Sequence, residues 1–403
     1  MKSILLVDDE TPVREELERT LQPMSQTWEM AYVSSGREAL AKLAKHAFDM
    51  VVVDLDMPQM SGPQLLAEIK TKHPQAIRIL MADRCDQSLM RRSLGSAHQY
   101  LPKPFKLDLF KSMVTRAVTL RERLANDSLR QLVDGIDTLP SLPGLYRELQ
   151  EELQSPEPSI QKITRIISKD MGMVTNILQL INSYFFGLLT PVSSPAQAVS
   201  LLGLDRVKAL VLSMQVFAQF KEYRHPFISL DVLWRHGLVI GSYARAIAQE
   251  EKAPQDLIDD AFTAGLLHDV GILVLATNLS DQYTDALALM QNRRVTEWEA
   301  ECETMGASHA DVGGYLLGTW GLSDAIVEAV AFHHDPMRSV SQPFSPLAAV
   351  HVANALEEKD LAVVMGAGYT HIDEDYLAAC GLGNRLSAWQ TVYQEVAHSR
   401  SSL

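Results

Sequence analysis

Two uninterrupted aliphatic runs, Ile4-Leu5-Leu6-Val7 and Val51-Val52-Val53, each stop abruptly at an aspartate. A strand without polar alternation has to be covered on both faces, the situation of a parallel sheet sandwiched between helices. A weaker run, Ile77 to Met81, repeats the signal, and amphipathic stretches at Glu38 to Lys45 and Gln64 to Lys70 fall between the runs. Strand and helix alternating at this spacing predict βαβ units over residues 3–120. In such a sheet the carboxyl ends of the strands open on one crevice, so the residues that follow them meet in space.

Those residues are charged. Asp8-Asp9 follows the first strand, Asp54 ends the third and leads into Asp56-Met57-Pro58, and Lys103 stands in Leu101-Pro102-Lys103-Pro104-Phe105 after the fifth. Three carboxylates at one point repel each other and call for a counter-ion, and an all-oxygen donor set suits Mg²⁺. The cation would neutralise both the pocket and an incoming phosphoryl group, Lys103 would add a point charge for a phosphate oxygen, and Asp54 would be the nucleophile that forms an aspartyl phosphate.

With these residues in place, residues 1–120 resemble the receiver domain of bacterial response regulators, through Ile4-Leu5-Leu6-Val7-Asp8-Asp9-Glu10, Val53-Asp54-Leu55-Asp56-Met57-Pro58 and Tyr100-Leu101-Pro102-Lys103-Pro104. The resemblance implies that Asp54 is phosphorylated by a sensor histidine kinase or phosphotransfer protein, and that Asp8, Asp9, Asp54 and the backbone carbonyl of Met57 serve Mg²⁺. One position departs from the family. A Thr or Ser is usual at the end of the fourth strand, where it follows the phosphoryl group; here the residue is Ala82, so the usual coupled movement of that hydroxyl and the downstream aromatic, Tyr100, is in question.

Residues 106–134 read as nearly continuous helix, with Leu107, Phe110, Val114, Ala117 and Leu120 at helical spacing. Its charged later part, within a linker helix assigned to residues 121–138, reads either as a segment that pairs with another copy in a homodimer or as a solvated connector. From Leu139 onward strand alternation ceases and helical stretches take over, punctuated by Pro140, Pro143, Pro156, Pro158 and Pro191. The fold class is therefore α/β plus all-α: a doubly wound (βα)5 domain at 1–120, a linker helix, and an all-helical domain at 139–403. The longest apolar stretch, Ala261 to Leu279, holds His268 and Asp269 at its middle and so reads as a buried helix, not a membrane span.

The helical half is rich in histidine. His236, His268-Asp269, His309 and His333-His334 all fall on predicted helices or helix ends, and imidazole with carboxylate suits Fe, Mn, Zn or Ni held inside a bundle. This half resembles the HDOD domain, a relative of the HD and HD-GYP phosphohydrolases. The resemblance spans residues 139–360 and is carried by Leu139-Pro140-Ser141-Leu142-Pro143, Ile167-Ser168-Lys169-Asp170-Met171-Gly172, Ile181-Asn182-Ser183-Tyr184-Phe185-Phe186-Gly187, Ala198-Val199-Ser200-Leu201-Leu202-Gly203 and Val350-His351-Val352-Ala353-Asn354. Catalytic HD-GYP enzymes hydrolyse cyclic di-GMP at a centre of two or three irons, and His236, His268, Asp269, His309, His333 and His334 match their ligand positions. The early acidic ligand falls on Val232, the lysine after His-Asp on Ile272 and the late aspartate on Asn354, and no Gly-Tyr-Pro follows His334. The resemblance thus implies a degenerate, non-catalytic output domain with a vestigial site able to hold one metal, acting by binding a downstream protein, with an enzyme of cyclic di-GMP metabolism one such partner. The alternative is a metal-dependent phosphohydrolase acting on cyclic di-GMP or a nucleotide.

Bulk properties narrow the setting. The net charge of −14 disfavours non-specific contact with nucleic acid. Cys85, Cys302 and Cys380 are far apart and form no C-x-x-C pair, which argues against a disulfide framework or zinc knuckle and fits the cytoplasm. Met1-Lys2-Ser3 runs straight into a strand, without the apolar core of a signal peptide.

Overall fold

The computed structural model describes residues 2–83, 96–103, 127–136 and 143–401 except 156, 183–190, 205–206, 208–228, 340–342 and 366–369, together with Leu139 and single positions between 107 and 114. Of the helix expected over residues 106–134, most of the part up to residue 126 falls outside the described residues, as does most of that over Arg206 to Phe220.

Strands β1 (Lys2–Val7), β2 (Trp28–Val33), β3 (Met50–Asp54), β4 (Ile77–Asp83) and β5 (Gln99–Lys103) form one sheet in the order β2-β1-β3-β4-β5. All pairs are parallel. The aliphatic runs behave as their composition requires. Leu5, Val7, Val51 and Val53 enter the core on one face, and Ile4, Leu6, Met50 and Val52 enter the core on the other. Helices α1 (Thr11–Leu21), α2 (Gly36–Leu43) and α3 (Gly62–Lys72) connect the first four strands. Ser35 caps α2 by accepting from the Glu38 amide, and Ser61 with Gln64 forms a capping box on α3. Strand order reverses between β1 and β3, which fixes the crevice beside Asp8 and Asp54.

The rest is helical among the described residues: α4 (Asp127–Asp134), α5 (Pro143–Gln154), α6 (Ile160–Ile167), α7 (Met171–Asn182), α8 (Pro195–Leu202), α9 (Leu230–Glu250), α10 (Gln255–Leu267), α11 (Val270–Asn278), α12 (Ser280–Arg293), α13 (Glu297–Met305), α14 (His309–Thr319), α15 (Asp324–Phe332), α16 (Pro346–Met365), α17 (Glu374–Ala379) and α18 (Leu386–Ser401). One continuous apolar core joins them. Two expectations are corrected. The later linker segment is not a solvated connector: Leu129 and Val133 of α4 are each only 2% exposed and belong to the helical core. The apolar stretch from Ala261 to Leu279 is not one helix; it breaks at His268-Asp269 into α10 and α11. The span Gln255–Asn278 is long and apolar enough to cross a membrane, but 89% of its most apolar 18-residue window is buried within the fold.

Candidate functional site

The crevice of the sheet gathers the expected groups. Lys103 Nζ lies 2.6 Å from Asp8 Oδ2 and also pairs with Asp54 Oδ1. Asp54 Oδ2 accepts from the Asp56 amide at 3.1 Å, and Asp8 Oδ1 from the Glu10 amide at 2.9 Å. Asp8 is fully buried, Asp54 and Met57 nearly so, and Asp9 is half-buried at the rim. The loop holding Asp54 is pressed against the start of α3. A Cβ on Gly62 would stand 2.3 Å from the Asp54 carbonyl oxygen, so only glycine permits this approach. Burial raises the Asp54 carboxyl above its usual range although Lys103 pulls it back; burial lowers the Lys103 ammonium, but its bonds to Asp54 and Asp8 outweigh this and raise it. The pocket already accepts a positive charge between Asp8 and Asp54, and its remaining donors are oxygens, so these residues fit a hard divalent cation. Ala82 stands near the end of β4, opposite Pro102 and half-buried, and Tyr100 pairs with Leu80 in the sheet, its side chain lying outside the described residues.

The second site lies in the helical half. The six residues singled out from the sequence converge, and all but His236 sit at helix ends, where side chains from different helices can meet. His268 closes α10, Asp269 stands in the break before α11, His309 opens α14, and His333 closes α15 with His334 next to it. The start of α14 is fixed by a capping box in which Ser308 and Asp311 exchange bonds. A Cβ on Gly271 would lie 1.9 Å from the His309 carbonyl oxygen, so the absent side chain is what lets α11 and α14 bring Asp269 and His309 together.

Asp269 is the hub. Its Oδ2 lies 3.2 Å from His268 Nε2 and 3.6 Å from His236 Nε2; its Oδ1 lies 3.3 Å from His309 Nε2 and 3.8 Å from His333 Nε2. His334 Nε2 is 3.0 Å from His309 Nε2. Two ligand triads result, His236-His268-Asp269 and His309-His333-His334. The Nδ1 atoms of His268 and His333 are each 2.8 Å from a carbonyl oxygen, of Gly265 and Val330, which makes Nδ1 the donor and leaves Nε2 with its lone pair. Both Nε2 atoms are buried without a hydrogen-bond partner. Bare ring nitrogens clustered about a carboxylate repel one another unless a cation lies between them, so the donor set fits a transition metal.

For His236, His333 and His334 the electrostatics agree; for His309 they do not. Burial lowers His236 to about 4 and holds His333 and His334 well below the ordinary imidazole range. Burial also opposes the charged forms of Asp269 and His309, but for Asp269 the neighbouring His268 and His309 win and lower it, and for His309 the neighbouring Glu301 and Asp269 win and raise it.

Several contributors were missed from the sequence. Glu301, fully buried, accepts from the His309 amide and faces its Nδ1, each at 2.7 Å, the arrangement that orients a ligating imidazole. Its neighbours Glu297, Glu299 and Glu303 hide it in an acidic helix; only its spacing of two turns before His309 singles it out. His351 accepts from the Asp373 amide on Nε2 and so donates from Nδ1 to the His333 carbonyl at 2.7 Å. Trp298 stacks on His334. The positions that depart from the hydrolytic relatives are also placed: Val232 is 61% exposed, Ile272 is buried, and Asn354 faces His236 while donating to Glu358.

Comparison with known proteins agrees with the geometry. Residues 4–115 match the response regulator receiver domain and residues 139–336 the HDOD domain. An uncharacterized protein of Treponema pallidum is 26% identical over 219 residues, which is 54% of this chain and 41% of that protein. The DNA-binding transcriptional regulator NtrC of Salmonella typhimurium is 35% identical over 117 residues, 29% of this chain and 24% of that one. The chain thus spans less than half the length of these relatives. Among solved structures, the MmoQ response regulator of Methylococcus capsulatus covers 60% of this chain and 98% of its own at 25% identity and a TM-score of 0.44. An HDOD domain protein of Geobacter sulfurreducens covers 72% and 95% at 23% identity and a TM-score of 0.39. With a receiver domain at residues 4–115 and an HDOD domain after it at residues 139–336, the chain has the domain architecture of a two-component response regulator.

Proposed function

We propose that phosphorylation of Asp54 controls an HDOD output domain that works by binding a partner protein and not by hydrolysis. The observation that carries this reading is the convergence of Asp54, Asp8 and Lys103 at the carboxyl ends of the strands. An Asp54 oxygen attacks phosphorus, the bond from phosphorus to the donor's leaving atom breaks with its electron pair staying on the donor, and an acyl phosphate results. Burial makes the carboxylate more basic and hence a better nucleophile. Lys103 meets the charge of the transferred group. A Mg²⁺ held by Asp8, Asp9, Asp54 and the Met57 carbonyl would neutralise charge on donor and acceptor. The phosphodonor is a sensor histidine kinase or phosphotransfer protein, the setting cytoplasmic, and an enzyme of cyclic di-GMP metabolism is the first partner class to try.

In the helical domain His236, His268, Asp269, His309, His333 and His334 would hold Fe, Mn, Zn or Ni, which would supply a rigid cross-link between helix ends. Loss of the acid at Val232 and the lysine at Ile272 supports a non-catalytic role. The second reading, a metal-dependent phosphohydrolase, is favoured by Asp269, whose two oxygens face different histidine sets and so could serve two cations. The deciding experiment is turnover of cyclic di-GMP by protein loaded with iron or manganese. We expect none; turnover lost in a His268→Ala, Asp269→Ala double variant would establish the second reading.

A further inference from the structure

The receiver touches the helical domain at the end of its sheet opposite to Asp54. Arg78, fully buried near the start of β4, donates from Nη2 to the Asp134 carbonyl at 3.0 Å and from Nε to the Ser96 carbonyl at 2.9 Å. His98 Nδ1 lies 3.1 Å from the Arg78 amide, and its Nε2 lies 3.0 Å from the same Asp134 carbonyl oxygen and 2.7 Å from Arg78 Nη2. Gln99, the first residue of β5, donates to the Thr319 carbonyl at 2.7 Å. The Asp134 side chain in turn accepts from the Tyr315 hydroxyl at 2.7 Å.

The chemistry of this dock is specific. Asp134 ends α4 and Thr319 ends α14, and the last carbonyls of a helix have no partner within it. The receiver supplies those partners and places a guanidinium at the negative end of the α4 dipole. Each element that reaches the dock also reaches a site. Strand β5 runs from Gln99 at the dock to Lys103 on Asp54, and α14 runs from Thr319 at the dock to His309 on Asp269. They span about 13 Å and about 15 Å, respectively, at the usual rise per residue.

We propose that this dock makes the phosphorylation state of Asp54 and the state of the histidine cluster mutually dependent, with β5 and α14 as the two rigid members joined at Gln99 and Thr319. The inference rests on the reading of Asp54 as the phosphorylated residue. A phosphoryl group adds about −1.5 to −2 charge beside Lys103. Lys103 is then shared between the new oxygens, Asp54 and Asp8, and its strand shifts with it. Coupling of this kind is reciprocal, so a cation in the histidine cluster also changes the ease of phosphorylation.

The test uses the full chain, with a small acyl phosphate donor and Mg²⁺ at the receiver and Co²⁺ as the probe for the cluster. Phosphate should change the Co²⁺ affinity roughly 5- to 150-fold, the usual range of allosteric coupling. It should also change amide hydrogen exchange over residues 309–319. In a Gln99→Ala, Tyr315→Phe double variant, which leaves both sites intact, phosphate should still enter Asp54 while both responses vanish. If phosphate enters wild type and neither Co²⁺ affinity nor exchange changes, or if both change equally in the variant, the dock is a passive contact and the inference is overturned. If Asp54 takes up no phosphate at all, the underlying reading fails first and carries the inference with it.

Discussion

The two charged sites of this molecule are built on opposite plans. In the receiver two buried carboxylates, Asp8 and Asp54, meet one lysine at strand ends, and Lys103 already balances part of the negative charge. In the helical domain five imidazoles surround one carboxylate, nearly all buried, and two ring nitrogens that face the carboxylate make no hydrogen bond. The first site is partly balanced as it stands and, on the proposed reading, takes a transient negative guest. The second leaves the buried Nε2 atoms of His268 and His333 without hydrogen-bond partners and suits a resident positive one. A crevice that carries its own lysine is made for exchange, whereas a buried nest of lone pairs is made for retention.

The contrast can be broken most directly at Asp54. Asp54→Asn removes the nucleophile and should abolish labelling by a small phosphodonor; labelling that persists would move the acceptor elsewhere and undo the account of the crevice. In the helical domain, Glu301→Gln keeps the size of the side chain but weakens its hold on His309. Loss of such an outer partner typically costs 10- to 100-fold in metal affinity, which competition with a chromophoric chelator would read. Unchanged affinity would mean that His309 is not a ligand.

Packing offers a smaller test. Gly271→Ala forces α11 away from the His309 carbonyl, and overpacking of this kind destabilises by about 1–3 kcal/mol. Urea denaturation should show that loss, together with weaker metal binding. Insertion of the methyl group without either effect would show that the helix crossing is not what holds Asp269 and His309 together.

The junction between the two regions should respond to pH. Burial lowers His98 well below 6.5, and Arg78 and the more distant Lys70 push it the same way, while the Asp134 carbonyl opposes them. The unfolded chain therefore binds more protons than the folded one as pH falls through 6.5, and stability is lost from there down towards the lowered folded value. Comparing wild type with His98→Gln at pH 7.5 and pH 5.5 isolates this residue from the histidine cluster. Wild type should lose more stability than the variant between the two. The smallest effect is expected at Ala82: Ala82→Thr restores a hydroxyl that can follow the phosphoryl group and should modestly enlarge the change in partner affinity on phosphorylation. An unaltered change would mean that the signal does not use this position.

Legibility in the sequence followed the same division. The receiver was readable because each contributor is local: an aliphatic run announces a buried strand, and the residue at its end is the functional one. The strand that escaped notice, Trp28–Val33, lies at the sheet edge and is buried only at its two ends, so no continuous run marks it. In the helical domain the six candidate ligands were readable as one group, but the helix break and the outer partners that hold them were not. The break at His268-Asp269 leaves no proline or glycine at the break itself, because tertiary packing of α10 and α11, not a local breaker, interrupts the helix. Glu301 and the dock at Asp134 were unreadable for a related reason. Their partners lie 8 residues away in one case and 56 in the other, with no periodic pattern linking them.

The dock limits how freely these two domains can be shuffled. A receiver grafted from another regulator would bring aspartates, lysine and phosphate chemistry intact. It would arrive without Arg78, His98 and Gln99, leaving the carbonyls of Asp134 and Thr319 without the donors that now end α4 and α14. If the proposed coupling holds, such a hybrid should accept phosphate and pass nothing on. A substitution at Arg78 is therefore expected to need an answering change near Asp134 if the dock is to form.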